Sequence, residues 1–293
     1  AMLGQECWES KWDYTKVRNT KLPSDAVPNP VLGTGTATIG VGFGSAAMAS
    51  FFTRWTYSYD SRYNATYTYR YDGSSNFGPN NRWAGFHSFA TSWRFTNEKF
   101  VQAIAGKWLS NGKLRIGWGQ TGNSNIKSYV WGINMQPVYT TLGNGYRPQN
   151  IPNLDVKWEK QEQIDLGLDL GFLNDRINVT LDWYQKESKD MLMELQLPSY
   201  MGTSGNGNSK LNAPMGNYGH IRNSGFELTL NTHPLVGKFQ WDSEFQISWN
   251  KNKLIALNGT ASSAIMGYAQ WEQTLVSKTD IGGSLYNFYG YVT

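Results

Sequence analysis

The feature that most narrows the fold is a two-residue alternation sustained longer than an ordinary strand. In the stretch YNATYTYRYD, Tyr63, Ala65, Tyr67, Tyr69 and Tyr71 share one phase, while Asn64, Thr66, Thr68, Arg70 and Asp72 share the other. Successive side chains of a strand point to opposite faces, so this spacing predicts one apolar wall and one polar wall. The division recurs before and after it. Phe51, Thr53, Trp55, Tyr57 and Tyr59 oppose Arg54, Thr56 and Ser58; Phe89, Thr91, Trp93 and Phe95 oppose Ser88, Ala90, Ser92 and Arg94. Leu114, Ile116 and Trp118 oppose Arg115. Further on, Ile164, Leu166, Leu168, Leu170 and Phe172 oppose Gln163, Asp165 and Asp169, and Ile177, Val179, Leu181 and Trp183 oppose Asn178, Thr180 and Asp182. Phe226, Leu228 and Leu230 then oppose Glu227, and Phe239, Trp241, Phe245, Ile247 and Trp249 oppose Gln240, Asp242, Glu244 and Gln246. In each of these segments the charge stays on the polar phase.

A soluble β-sandwich also alternates, because one face of each sheet packs on a core. Strand length separates the two. Globular strands average about 5–6 residues, whereas several segments here alternate for about 10, the length of a tilted membrane-crossing strand. An Arg or Lys on the lipid face near the midplane costs about 2–4 kcal/mol, which an uncharged phase avoids. Tyr59, Tyr71, Trp93, Trp183 and Trp249, near segment ends, suit the interfacial girdles where an amphipathic ring rests between hydrocarbon and water. The expected fold is all-β, an antiparallel transmembrane β-barrel contributing about nine or ten strands.

Composition excludes several alternatives. Hydrophobic residues make up 40% of the 293 and mean hydropathy is −0.51, with no apolar run long enough for a membrane-spanning helix. The net charge of +4 is mild, and Lys and Arg are scattered, so no nucleic-acid partner is expected. Cys7 is the only cysteine, which leaves no disulfide framework and no Cys-based metal site. The residues before it do not form a lipoprotein anchor. His87, His220 and His233 lie in separate contexts, and no GxSxG, HExxH or P-loop pattern occurs, so neither an enzyme nor a cofactor or metal is expected. Carboxylates such as Asp165, Asp169, Asp182, Asp242 and Glu244 fall on the polar phase and read as solvated barrel-wall residues rather than a glycosidase pair.

Connections divide into two kinds. Asp60–Ser61, Leu173–Arg176 and His233–Lys238 read as short turns; Asp72–Gly85, Gly143–Lys157 and Pro198–Asn223 read as long loops. The stretch NEKFVQAIAGKWL is the one convincing helical piece, expected as a short periplasmic connector.

The run RYDGSSNFGPNNRWAGFHSFATSWRFTNEKF resembles the signature of SusC-like (SusC/RagA) outer-membrane transporters of Bacteroidetes. It is carried by Arg70, Asp72, Gly73, Ser74, Ser75, Phe77 and Gly78, then Arg82, Trp83, Phe86 and Ser88, then Trp93, Arg94, Glu98 and Phe100. His87 stands where the family usually has Pro, and Ala84 where it often has Gly. KLRIGWGQTGN with Gly122 and Asn123, the stretch from Pro152 to Leu192, GHIRNSGFELTL and the terminal NFYGYVT follow in family order. The resemblance implies part of a plugged barrel of about 22 strands, with residues 1–45 as an extracellular loop and strand connection and 46–293 as partial barrel wall, the N-terminal plug and TonB box lying outside this chain. It further implies TonB-dependent import of oligosaccharides or oligopeptides, a SusD-like surface lipoprotein as partner, and outer-membrane lipid around the barrel. A partial barrel needs the remainder of the same barrel to pair its edges, and is not expected to fold alone in a membrane. Asp72, Arg82 and Trp83 are candidate substrate contacts. Arg70, Gly73, Ser74, Ser75, Phe77, Gly78, Trp93, Arg94, Gly122 and Asn123 are expected to be structural. A secreted carbohydrate-binding β-sandwich and a passive porin remain the rival readings.

Overall fold

The computed structural model describes residues 1–24, 26, 29–126, 128–195, 197–203, 210–257, 264–268 and 275–290; part of the Pro198–Asn223 loop and the last three residues of NFYGYVT lie outside them. The chain runs through β1 (Met2–Arg18), β2 (Thr38–Tyr59), β3 (Tyr63–Ser74), β4 (Trp83–Trp93), the helix α1 (Lys99–Ala105) and β5 (Leu109–Asn123). It continues with β6 (Met135–Thr140), β7 (Gly143–Pro148), β8 (Glu159–Phe172), β9 (Ile177–Glu194), β10 (Met215–Val236) and β11 (Gln240–Leu257). β12 (Ile265–Tyr268), β13 (Leu275–Thr279) and β14 (Asn287–Phe288) close the order.

Nine strands form one antiparallel sheet in the order β1-β2-β3-β4-β5-β8-β9-β10-β11. β6 and β7 make a hairpin within the β5–β8 connection, and β12, β13 and β14 form a separate three-stranded sheet. β2 and β3, and β8 and β9, pair across short turns. Asp60, Ser61, Leu173, Asn174 and Asp175 all take positive φ, the left-handed backbone that a tight reversal requires. The sheet does not close: among the described residues β1 and β11 each have a neighbouring strand on one side only, although Leu254 of β11 exchanges backbone hydrogen bonds with Gly282 and Gly283.

Register carries the sequence phases across the whole sheet. Trp55, Tyr67, Phe89 and Trp118 lie opposite one another from β2 to β5, and Ile116, Leu166, Trp183, Phe226 and Trp249 do so from β5 to β11. These rows stand open, with Trp55 61% and Trp249 65% exposed, so they are not the inner layer of a sandwich. The opposite face carries the polar phase. Toward the end where the long loops emerge, the apolar phase itself becomes charged: Glu162 pairs with Lys189, and Arg222 Nη2 lies 2.7 Å from Glu187 Oε1. Charges on the outward phase are incompatible with hydrocarbon, so the apolar band ends below this row and the strands project beyond it.

Several sequence expectations shift: Gly143–Lys157 opens with β7, and β10 takes in Met215 to Asn223 at one end and His233 to Val236 at the other. Residues 1–45 hold the 17-residue strand β1 and the start of β2, and position 45 falls inside β2. Alternation is blurred there because both phases of β1 carry charge, with Glu9, Lys11 and Asp13 on one and Glu6 and Lys16 on the other. Phe95 leaves the strand: β4 ends at Trp93, and the Phe95–Asn97 3-10 turn lays the Phe95 ring over Gly112 of β5. The Asp72–Gly85 loop is shorter than read, since β3 runs to Ser74 and β4 starts at Trp83. The NEKFVQAIAGKWL stretch is helical over α1, at the end of the sheet that carries the short turns.

Candidate functional site

The first half of the signature, from Arg70 to Gly78, gathers at the long-loop end, with Arg70 and Asp72 on the polar face. Arg70 and Asp72 are two apart on one strand and share a face, so the Arg70 Nε reaches both Asp72 carboxylate oxygens at 2.7 and 3.0 Å. Arg70 Nη2 donates to Ser50 Oγ at 2.8 Å and lies 3.4 Å from Glu6, tying β3 to β2 and β1. Asp72 is 6% exposed, and its carboxylate is occupied by this pairing. The two serines of DGSS turn the chain. Ser74 N donates to Arg82 O at 3.1 Å, and Ser75 pairs with Ala47 twice, donating from its amide and accepting at Oγ, both at 2.9 Å.

That turn drives Phe77 into a buried cluster with Phe86, Val156 and Trp158, flanked by Met48, Ala84, Ile126, Trp131, Leu192 and Met215. The Phe77 and Trp158 rings stack at 4.9 Å, Phe86 meets Trp158 edge-on at 5.7 Å, and Trp158 Nε1 donates to Arg82 O at 3.1 Å. Gly122 is required by close approach: a Cβ there would stand 2.1 Å from the Phe86 ring. Its neighbour Asn123 accepts at Oδ1 from Asn125 N at 3.0 Å, turning the chain into the long loop. Gly78 is buried against Trp131 and precedes a 3-10 turn over Pro79–Asn81. Four stretches far apart in sequence thus make one clasp.

The three candidate substrate contacts separate. Trp83 lies on the aromatic face, across Gly73, with its ring 5.1 Å from Tyr71 and 6.2 Å from Phe51. Asp72 lies on the polar face, engaged with Arg70. Arg82 is exposed, and its guanidinium has no ion pair among the described residues. Arg82, Trp83, Trp8, Glu9, Tyr129 and Trp131 line a cleft of about 520 Å³ beside the clasp.

Lower on the polar face, Arg115 bridges Asp169 and Asp182, each at 2.9 Å. The bridge crosses Gly167, where a Cβ would stand 2.5 Å from the guanidinium carbon. Among the described residues no three His, Cys, Asp or Glu side chains form a metal-binding group. At the short-turn end, Glu98 receives Tyr63 Oη at 2.6 Å, Arg62 at 2.8 Å and Trp93 Nε1 at 3.2 Å. The Tyr63 hydrogen bond leads in holding the Glu98 carboxyl below its ordinary value, with Trp93 and Arg62 adding to it against the opposing effect of burial. Arg94 donates its amide to Arg62 O at 2.7 Å, and Tyr63 and Trp93 stack at 6.5 Å. The second half of the signature is therefore a latch on the β2–β3 and β4–α1 turns. Glu98, Trp158 and Arg115 were present in quoted stretches, but nothing local to the sequence marked what they would touch.

Comparison with known proteins agrees with this geometry. The TonB dependent receptor-like β-barrel family matches residues 8–290. The TonB-dependent receptor SusC of Bacteroides thetaiotaomicron is 35% identical over 261 residues, covering 83% of this chain and 25% of that protein. A TonB-dependent receptor of Formosa agariphila is 32% identical over 252 residues, covering 83% of this chain and 24% of that protein. The chain thus spans about a quarter of the length of these curated relatives. Among solved structures, the RagAB peptide transporter superposes with a TM-score of 0.80 at 26% identity, over 96% of this chain and 30% of that one. Apolar rows turned outward, a polar inner wall and signature stretches joined in one clasp match what these relatives are: the chain belongs to the TonB-dependent receptor β-barrel family of the bacterial outer membrane, among its SusC-like members.

Proposed function

We propose that the protein containing this chain imports oligosaccharides across the outer membrane, with oligopeptides as the competing cargo, using energy delivered by TonB from the periplasm. The observation that carries the reading is the two-faced wall. An uncharged outer face suits lipid, and an inner face bearing Arg115, Asp169 and Asp182 suits a hydrated lumen. The long-loop end faces the exterior in this reading, where a SusD-like lipoprotein closes over it. Residues 46–293 serve as barrel wall, and β1 with the start of β2 projects at the mouth. Arg82 is the substrate contact that best suits this arrangement, because its guanidinium is exposed beside the cleft. The family resemblance favours glycans; the description of RagAB as a peptide transporter keeps peptides in contention.

Growth of the source bacterium on single oligosaccharides or on peptides tests the reading. Deleting the full-length gene is expected to abolish growth on one cargo class, and loss of TonB is expected to do the same. Uptake that survives loss of TonB identifies a passive porin. A full-length product that is monodisperse in water without detergent identifies a soluble sandwich.

A further inference from the structure

β1 pairs with β2 along its whole length, from Met2 opposite Arg54 to Arg18 opposite Thr38, yet β2 pairs with β3 only from Met48 onward. Ala47 is still tied to Ser75 and Ser45 to Ser128, and beyond them residues 38–44 and their β1 partners form a two-stranded ribbon projecting past β3 at the long-loop end. Glu9, Lys11 and Asp13 on the outward phase of β1 keep it above hydrocarbon.

The inward phase of the ribbon carries Trp12 and Tyr14 opposite Gly44 and Gly42. A Cβ at Gly42 would stand 2.3 Å from the Tyr14 ring, and one at Gly44 would stand 2.5 Å from the Trp12 ring, so both rings lie flat on bare backbone. Their centroids are 5.9 Å apart with planes 10° from parallel, and they remain 54% and 53% exposed. Glycine inside a strand costs about 0.5–1 kcal/mol, and in such a position it commonly marks the close approach of another group. Here that group is a ring whose outer face is left open. Trp8, on the same phase, lines the 520 Å³ cleft beside the clasp, so the aromatic surface continues toward the mouth.

We propose that Trp12 and Tyr14 form a stacking platform for the pyranose rings of an oligosaccharide, with Trp8 carrying the track into the cleft. The proposal rests on the oligosaccharide reading above. Two near-parallel rings laid on glycine backbone offer no hole for an apolar side chain of a peptide or a protein partner. They match the face of a sugar ring, whose C–H groups rest on the negative π-face. Ser10 and Lys16, on the same phase, supply donors for hydroxyls at their margin.

Isothermal titration of the full-length detergent-solubilised protein with maltohexaose, cellohexaose, xylohexaose and an alanine-rich decapeptide tests this. The wild type is expected to bind at least one hexaose, and W12A/Y14A to weaken it about tenfold or more. Heat-modifiable migration of the barrel on gels is expected to stay unchanged. Gly42→Ala retains both rings but displaces Tyr14, and is expected to weaken the same hexaose. A hexaose that binds wild type and both variants within twofold overturns the platform and leaves the uptake reading standing. A wild type that binds the decapeptide and no hexaose overturns the oligosaccharide reading and the platform together.

Discussion

Trp158 shows how much one side chain carries when signature stretches meet. It is buried, stacks on Phe77, meets Phe86 edge-on and donates to the Arg82 carbonyl. Trp158→Ala removes all of these at once, and is expected to cost about 3–5 kcal/mol in urea-driven unfolding of the full-length protein in micelles. Trp83→Ala, on the open aromatic face, is expected to cost clearly less in the same assay. Glu98 makes a prediction about pH. Its folded carboxyl titrates below the ordinary value of 4.5, so it stabilises the short-turn end above that value and the contribution is lost as pH falls below it. The protection factor of the Arg94 amide, measured against its intrinsic exchange at each pH, is expected to fall over that acid range in wild type. In Glu98→Gln that protection factor is expected to be low already at neutral pH, with the acid step gone.

At the scale of the strand, depth along the outward phase decides what a substitution costs. Leu181 belongs to the apolar band of β9, whereas Glu187 and Lys189 on the same phase lie past its end, in the ion-paired row with Glu162, His220 and Arg222. Leu181→Arg is expected to destabilise the full-length barrel by about 2–4 kcal/mol, whereas Gln185→Arg, near the boundary, is expected to cost about 0–1 kcal/mol. Equal costs at the two positions would move the band edge. The alternation itself was legible because period two is a property of the local backbone. β1 escaped notice because charge on both of its phases erased that signal, and only pairing with β2 reveals it as a strand.

For the whole molecule, the open sheet sets the terms. Among the described residues β1 and β11 each lack a neighbouring strand along one edge, and hydrocarbon offers no substitute partner for the backbone groups there. Residues 1–293 refolded alone into micelles are expected to give no heat-modifiable monomer on gels, while the full-length protein gives one. A monomeric, heat-modifiable species from residues 1–293 would mean that these edges find partners within the chain itself.

Features that depend only on neighbours along the chain were legible before folding: the two-faced strands, the tight turns at Asp60–Ser61 and Leu173–Arg176, the short helix, and the family motifs. Which of those motifs touch was settled by the assembled sheet. Phe77, Phe86, Gly122 and Trp158 come from separate strands and loops and meet only because β3, β4, β5 and β8 are set side by side. The same holds for Trp83, which a motif places beside Arg82 but the pleat turns to the opposite face from Asp72. Alternation is encoded in each strand separately, whereas contact between strands depends on the register of the assembled sheet, and no single segment carries that information.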